Sequence, residues 1–127
     1  MAEMTSRERV LAAIEFKGSD RCPIHHCIFA GAVWNPQHHC MGTKRIGDLV
    51  GGRVCIRTDI DRQWVTPFGT PEAVENAVKE AIEAFGTFNG GAILHGEIGP
   101  EAPFENIKAM YDAFHKYGQY PLTWLEK

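Results

Sequence analysis

No stretch of this chain approaches the ~18 consecutive apolar residues that a membrane-spanning helix requires. Its opening, MAEMTSRERV, has none of the apolar core of a secretory leader, so the expected location is the cytoplasm and no membrane partner is expected. Basic residues are not in surplus: 13 Lys and Arg stand against 16 Asp and Glu, a net charge of -3. No cationic stripe is available to follow a phosphate backbone, which argues against nucleic acid as a partner. Glycine-rich phosphate loops, dinucleotide fingerprints, nucleophile elbows and kinase signatures are missing. Length is also short: 127 residues suit one domain but are only about half of what a closed eight-fold β/α barrel takes. Cysteines number only 4, and in a reducing compartment they are expected as thiols, so their spacing bears on metal or catalysis before disulfides.

What is present is ordinary globular material, 44% hydrophobic and 23% charged. Thr5 followed three residues later by Glu8 forms a capping box, with Val10, Leu11 and Ile14 as the apolar face of a helix over 6–16. The run from Cys22 to Phe29 follows a proline turn and suits a strand. From Asn35 to Gly52 neither period is sustained, which predicts a loop with at most one helical turn around Arg45 to Leu49. Arg53 to Arg57 suits a second strand. Thr70-Pro71-Glu72 then starts a helix whose stripe is Val74, Ala77, Val78, Ala81, Ile82 and Phe85, with Gly86 beyond its end. The pattern repeats with a strand at Ala92 to His95 and a helix with Ile107, Met110, Tyr111 and Phe114 inward, closed by Gly118. Two successive strand–loop–helix units predict parallel strands, hence an α/β class, in one domain: helix and first strand over 1–33, a loop over 34–52, and two β/α units over 53–127.

In parallel α/β sheets the loops beyond the carboxyl ends of the strands carry the site. Here those loops hold Asp59, Asp61, Arg62 and Gln63 on one side, and His95, Gly96, Glu97 and Glu101 on the other. Asp59 and Asp61 are carboxylates at alternate positions, suited to sharing acid and base roles, and Arg62 beside them is suited to an anionic substrate. The alternative is local: Asp61 capping backbone amides, with Arg62 paired nearby. His95 at a strand end is a candidate acid–base group, and Gly96 would let a substrate approach the backbone. His-His-Cys occurs twice, at 25–27 and 38–40. His25 and Cys27, two apart on a strand, point the same way, and with Cys22 and the second triplet they make a candidate zinc set. Against that stands the reading of Cys22 and Cys27 as small core residues.

Several segments resemble the uroporphyrinogen decarboxylase superfamily. Ser6-Arg7-Glu8-Arg9-Val10-Leu11-Ala12-Ala13 and Asp20-Arg21-Cys22-Pro23-Ile24 look like its opening. Gly52 through Asp61, Phe68-Gly69-Thr70-Pro71-Glu72, and Gly90 through Ile107 with its Pro100-to-Ile107 motif look like its last two β/α units. The resemblance implies TIM-barrel-like β/α units, with the middle of the barrel absent and no complete barrel in one chain. Such a chain would leave sheet edges open, so a homo-oligomer is expected. One branch of that superfamily decarboxylates tetrapyrroles without a cofactor; another is a zinc-dependent corrinoid:thiol methyltransferase. Where the decarboxylases carry two substrate-binding arginines, this chain has Ile28-Phe29-Ala30-Gly31-Ala32, which would lose about 2–5 kcal/mol for each desolvated pair. It is therefore not expected to be a true decarboxylase. Asp61 matches an aspartate common to both branches. The family's histidine or cysteine column falls on Gly96, so His95 would face the other side of the strand unless a bulge restores it. Three readings follow: a methyltransferase-like or other superfamily enzyme working on a small molecule at Asp59, Asp61 and His95, with Arg62, Gln63, Gly96 and Glu97 as substrate contacts; a non-catalytic metal-binding or assembly module with zinc on His25 and Cys27; or an inactive remnant.

Overall fold

The computed structural model describes residues 3–25 and 41–126. Helix α1 (Ser6–Ile14) begins where expected: Thr5 Oγ1 accepts from Glu8 N at 3.3 Å, and the Glu8 carboxylate accepts from Thr5 N at 2.7 Å. Its buried face is Arg9, Ala12 and Ala13, whereas Leu11 and Ile14 are exposed, which corrects the face read from the sequence. Close approach is the reason. Gly91 N donates to Ala13 O at 3.0 Å, and a Cβ at Gly90 would lie 3.2 Å from the carbonyls of Ala12 and Ala13. Only alanine-sized side chains fit under that part of the helix. Arg9 is admitted because its guanidinium reaches Asp20.

Strand β1 comprises Ile24–His25; Cys22 and Pro23 of the expected strand precede it, and positions 26–29 lie outside the described residues. Instead of a single turn within a loop, α2 (Thr43–Val50) is a helix of more than two turns. The glycines that look like breakers serve it differently: a Cβ at Gly47 would meet Ala84 O at 2.7 Å, so Gly47 is where a neighbouring helix touches. Strand β2 (Ile56–Arg57) is shorter than the expected five residues, and a one-turn helix α3 (Val65–Phe68) occupies the loop after it. Helix α4 (Pro71–Phe85) follows the sequence closely, with Thr70 Oγ1 accepting from Ala73 N at 3.2 Å and Val74, Val78, Ala81, Ile82 and Phe85 buried. Each large apolar side chain so buried contributes roughly 1.5–3 kcal/mol. Strand β3 (Ala92–His95) and α5 (Phe104–Tyr117) complete the repeat, and a 3₁₀ turn at Thr123–Leu125 ends it.

The strands lie in the order β1-β3-β2, all parallel, with Ile24 beside Leu94, His25 beside His95, and Ile56 beside Ala92. The chain is therefore α/β, as its alternating pattern implies. One apolar cluster joins Ala92 and Leu94 of the central strand to Val78, Ile82 and Phe85 of α4 and Met110 and Phe114 of α5. Cys22 belongs to this cluster, its Sγ donating to the Tyr120 hydroxyl at 3.2 Å, and burial pushes its thiol up to about 11. That is the environment of a core residue. Among the described residues no helix is long and apolar enough to cross a membrane.

Candidate functional site

The parallel ladder runs on past β2. Ile56 N donates to Gly91 O at 2.8 Å, Thr58 N to Ile93 O at 2.9 Å and Ile60 N to His95 O at 3.3 Å, so the extended backbone carries Asp59 alongside the end of β3. Ile60 turns into the core, which leaves Asp59 free to meet His95, and His95 Nδ1 lies 3.4 Å from Asp59 Oδ1. Both side chains are nearly out of water, 4% and 8% exposed. Thr58 fixes the strand end from below, its Oγ1 accepting from His95 N at 3.4 Å. No bulge is needed to bring His95 to Asp59.

Asp59 Oδ1 also accepts from Glu97 N at 3.3 Å, and Glu97 forms an ion pair with Arg62 from the facing loop. A closed circuit results, in which His95 and Glu97 of one loop grip Asp59 and Arg62 of the other. Arg62 is thus engaged by a carboxylate of its own chain, so the expected anion clamp is already filled from within. Asp61 takes the local role: its Oδ1 accepts from Gln63 N at 2.9 Å and Trp64 N at 3.1 Å, capping the turn into α3. The aspartate with an oxygen 3.4 Å from His95 Nδ1 is Asp59. Gln63 is exposed. Gly96 does not open the backbone to a substrate either, because a Cβ there would lie 2.4 Å from Met110 Cε and Sδ; α5 packs into that space. Asp59 and Asp61 both line a cavity of about 240 Å³, with Thr43, Val65 and Glu80 on its other walls.

Asn106 is a residue that periodicity does not flag. Although polar it is 1% exposed, and its Nδ2 donates to Thr66 O at 3.0 Å and to Gly69 O at 2.8 Å. These are carbonyls at the end of α3 that the helix itself cannot satisfy. The loop bearing Asp61 and Arg62 is thereby pinned at both ends, by Asp61 and by Asn106. Its only sequence signal is its place in the Glu105-Asn106-Ile107 triplet of the quoted motif.

For zinc, β1 places His25 at the register position beside His95, while Cys27, His38, His39 and Cys40 lie outside the described residues. Among the described residues no group of three His, Cys, Asp or Glu side chains could hold a metal. Asp59 and His95 supply two donors, which falls short of the three protein ligands that catalytic zinc requires. Comparison with protein-family models, curated proteins and solved structures finds no match. What the fold and site define is a parallel α/β protein with a buried histidine–aspartate pair at the carboxyl end of its sheet.

Proposed function

We propose that this chain is a shortened relative of the uroporphyrinogen decarboxylase barrel, built from its first strand and last two β/α units, and that it performs acid–base chemistry on a small molecule through His95 and Asp59. The observation that carries this reading is the strand order. In a closed eight-stranded parallel barrel the last strand lies between the first and the seventh. Here β3 lies between β1 and β2, parallel to both, as the resemblance of those three segments requires.

The chemistry follows from the pair. An imidazole beside a buried carboxylate is suited to taking and returning a proton, and Asp59, which lies 3.4 Å from His95 Nδ1, also lines the cavity of about 240 Å³ where a small molecule would bind. Glu97 N–H on Asp59 and the Arg62–Glu97 pair hold the carboxylate's surroundings still. A substrate carboxylate could take Arg62 only by displacing Glu97. Uroporphyrinogen decarboxylation lies outside the proposal, since the two arginines of the decarboxylases are replaced in Ile28 to Ala32. The superfamily's other chemistry, group transfer of the methyltransferase kind, or loss of activity altogether, is what remains. Each edge strand pairs on one side only among the described residues, so we also propose a homo-oligomer that covers these edges.

Chemical-shift mapping with a panel of small carboxylic acids and thiols tests the site. Perturbations gathered at Asp59, His95 and Glu97, and abolished in Asp59→Asn and His95→Gln, are expected; a panel that leaves these residues unmoved removes the proposal. Metal analysis separates the alternative: stoichiometric zinc, lost on replacing His25 and Cys27, would assign the chain to a non-catalytic metal-binding module.

A further inference from the structure

A second cavity, of about 660 Å³, opens at the opposite end of the sheet, where segments 17–20, 86–89 and 120–126 converge. Its volume falls in the range of about 300–1,000 Å³ typical of small-molecule sites. The walls are tied to one another. Gly18 N donates to Asn89 O at 2.6 Å, Tyr120 N to Asp20 O at 2.9 Å, and Tyr120 Oη to Gly86 O at 2.7 Å. Gly18 has to be glycine: its φ is +75°, and a Cβ would lie 2.5 Å from Asn89 Oδ1. The cavity is therefore preformed and does not depend on a ligand to draw its walls together.

Most polar groups in these walls are already used. Ser19 Oγ donates to Arg21 O at 2.6 Å, and Thr87 Oγ1 donates to Glu83 O at 3.3 Å. Asp20 is matched by Arg9 through contacts of 2.6 and 2.7 Å. The charged groups left facing the cavity are Lys17 and Glu126, one of each sign. Among the described residues Lys17 is held by a surface contact to Glu15 at 2.6 Å, with the two side chains 71% and 47% exposed, and an incoming carboxylate can replace that partner. The remaining wall is apolar, from Met4, Pro121, Leu122 and Leu125.

Two opposite charges beside an apolar wall favour a ligand that carries both signs of charge and an apolar side chain. We infer that this cavity is a second small-molecule site that takes an apolar zwitterion of the amino-acid class. Its side chain lies against Leu122 and Leu125, its carboxylate at Lys17 and its ammonium at Glu126. The site stands apart from the His95–Asp59 pair and does not depend on the function proposed for it.

Titration with L-phenylalanine, N-acetyl-L-phenylalanine and L-phenylalaninamide, followed by amide chemical shifts, tests the inference. The zwitterion is expected to shift Gly18, Asn89 and Leu122 and to bind more tightly than either derivative. Lys17→Ala and Glu126→Gln, both at exposed positions, should each weaken the zwitterion about threefold to fivefold. Lys17→Ala should leave the amide's binding unchanged, and Glu126→Gln should leave the acetyl derivative's unchanged. Absence of shifts at those three residues up to the solubility limit overturns the inference, as does equal binding of all three compounds or indifference to both substitutions.

Discussion

A guanidinium that is almost entirely out of water needs an anion, and Arg9, 5% exposed, has one in Asp20 through two parallel hydrogen bonds. The Arg9 hydrogen bonds, helped by Met4 N, hold the Asp20 carboxyl down from 3.8 to about 2. In the unfolded chain the same carboxyl takes up its proton near 3.8, so the unfolded state binds protons first as the pH falls. The stability contributed by this pair is therefore fully present above that value and is lost as the pH drops from there toward about 2. Asp20→Asn should flatten this part of the acid limb and cost about 1.5–3 kcal/mol at pH 7, both read from urea unfolding over a pH series. The same pair explains α1, which keeps a charged residue on its buried face and puts Leu11 and Ile14 in solvent.

Between elements, glycine and asparagine do work that hydrophobic pattern does not reveal. Alanine is a better helix former than glycine by about 1 kcal/mol, so propensity alone says that Gly47→Ala stabilises α2. Contact decides otherwise: the new Cβ would lie 2.7 Å from Ala84 O, which belongs to the backbone of α4 and cannot swing away. The substitution should destabilise by about 1–3 kcal/mol, seen as a lower urea midpoint with an unchanged slope. Asn106 joins α5 to the end of α3. Asn106→Ala leaves two carbonyls without their donor and should cost about 2–4 kcal/mol by the same measurement. Faster amide exchange at 65–69 should accompany it, because the loop bearing Asp61 and Arg62 loses its second anchor.

At the scale of the whole molecule, three parallel strands with the central one paired on both sides leave each outer strand with one unpaired edge among the described residues. Such edges recruit other chains unless they are covered. Sedimentation at micromolar concentration should give at least twice the chain mass of 14.2 kDa, and a single species at the chain mass would contradict the proposed oligomer.

Local, repeating signals were fully legible from residue order. The capping box at Thr5 and Glu8, the Thr70–Pro71 start of α4 with its apolar stripe, the Ala92–His95 strand and the parallel α/β class each depend on neighbours within a few positions, so the sequence alone determined them. The loops holding Asp59, Asp61, Arg62, His95 and Glu97 were legible in the same way, as segments after strands. Which of these side chains meet was settled by strand register, where a shift of one residue turns a side chain to the other face. Register set Asp59 against His95, left Asp61 to cap its own turn, gave Arg62 to Glu97 and filled the space beside Gly96 with Met110. The buried face of α1, the helix at Thr43–Val50 and the role of Asn106 likewise come from contacts between segments far apart in the chain, and only the tertiary structure decided them.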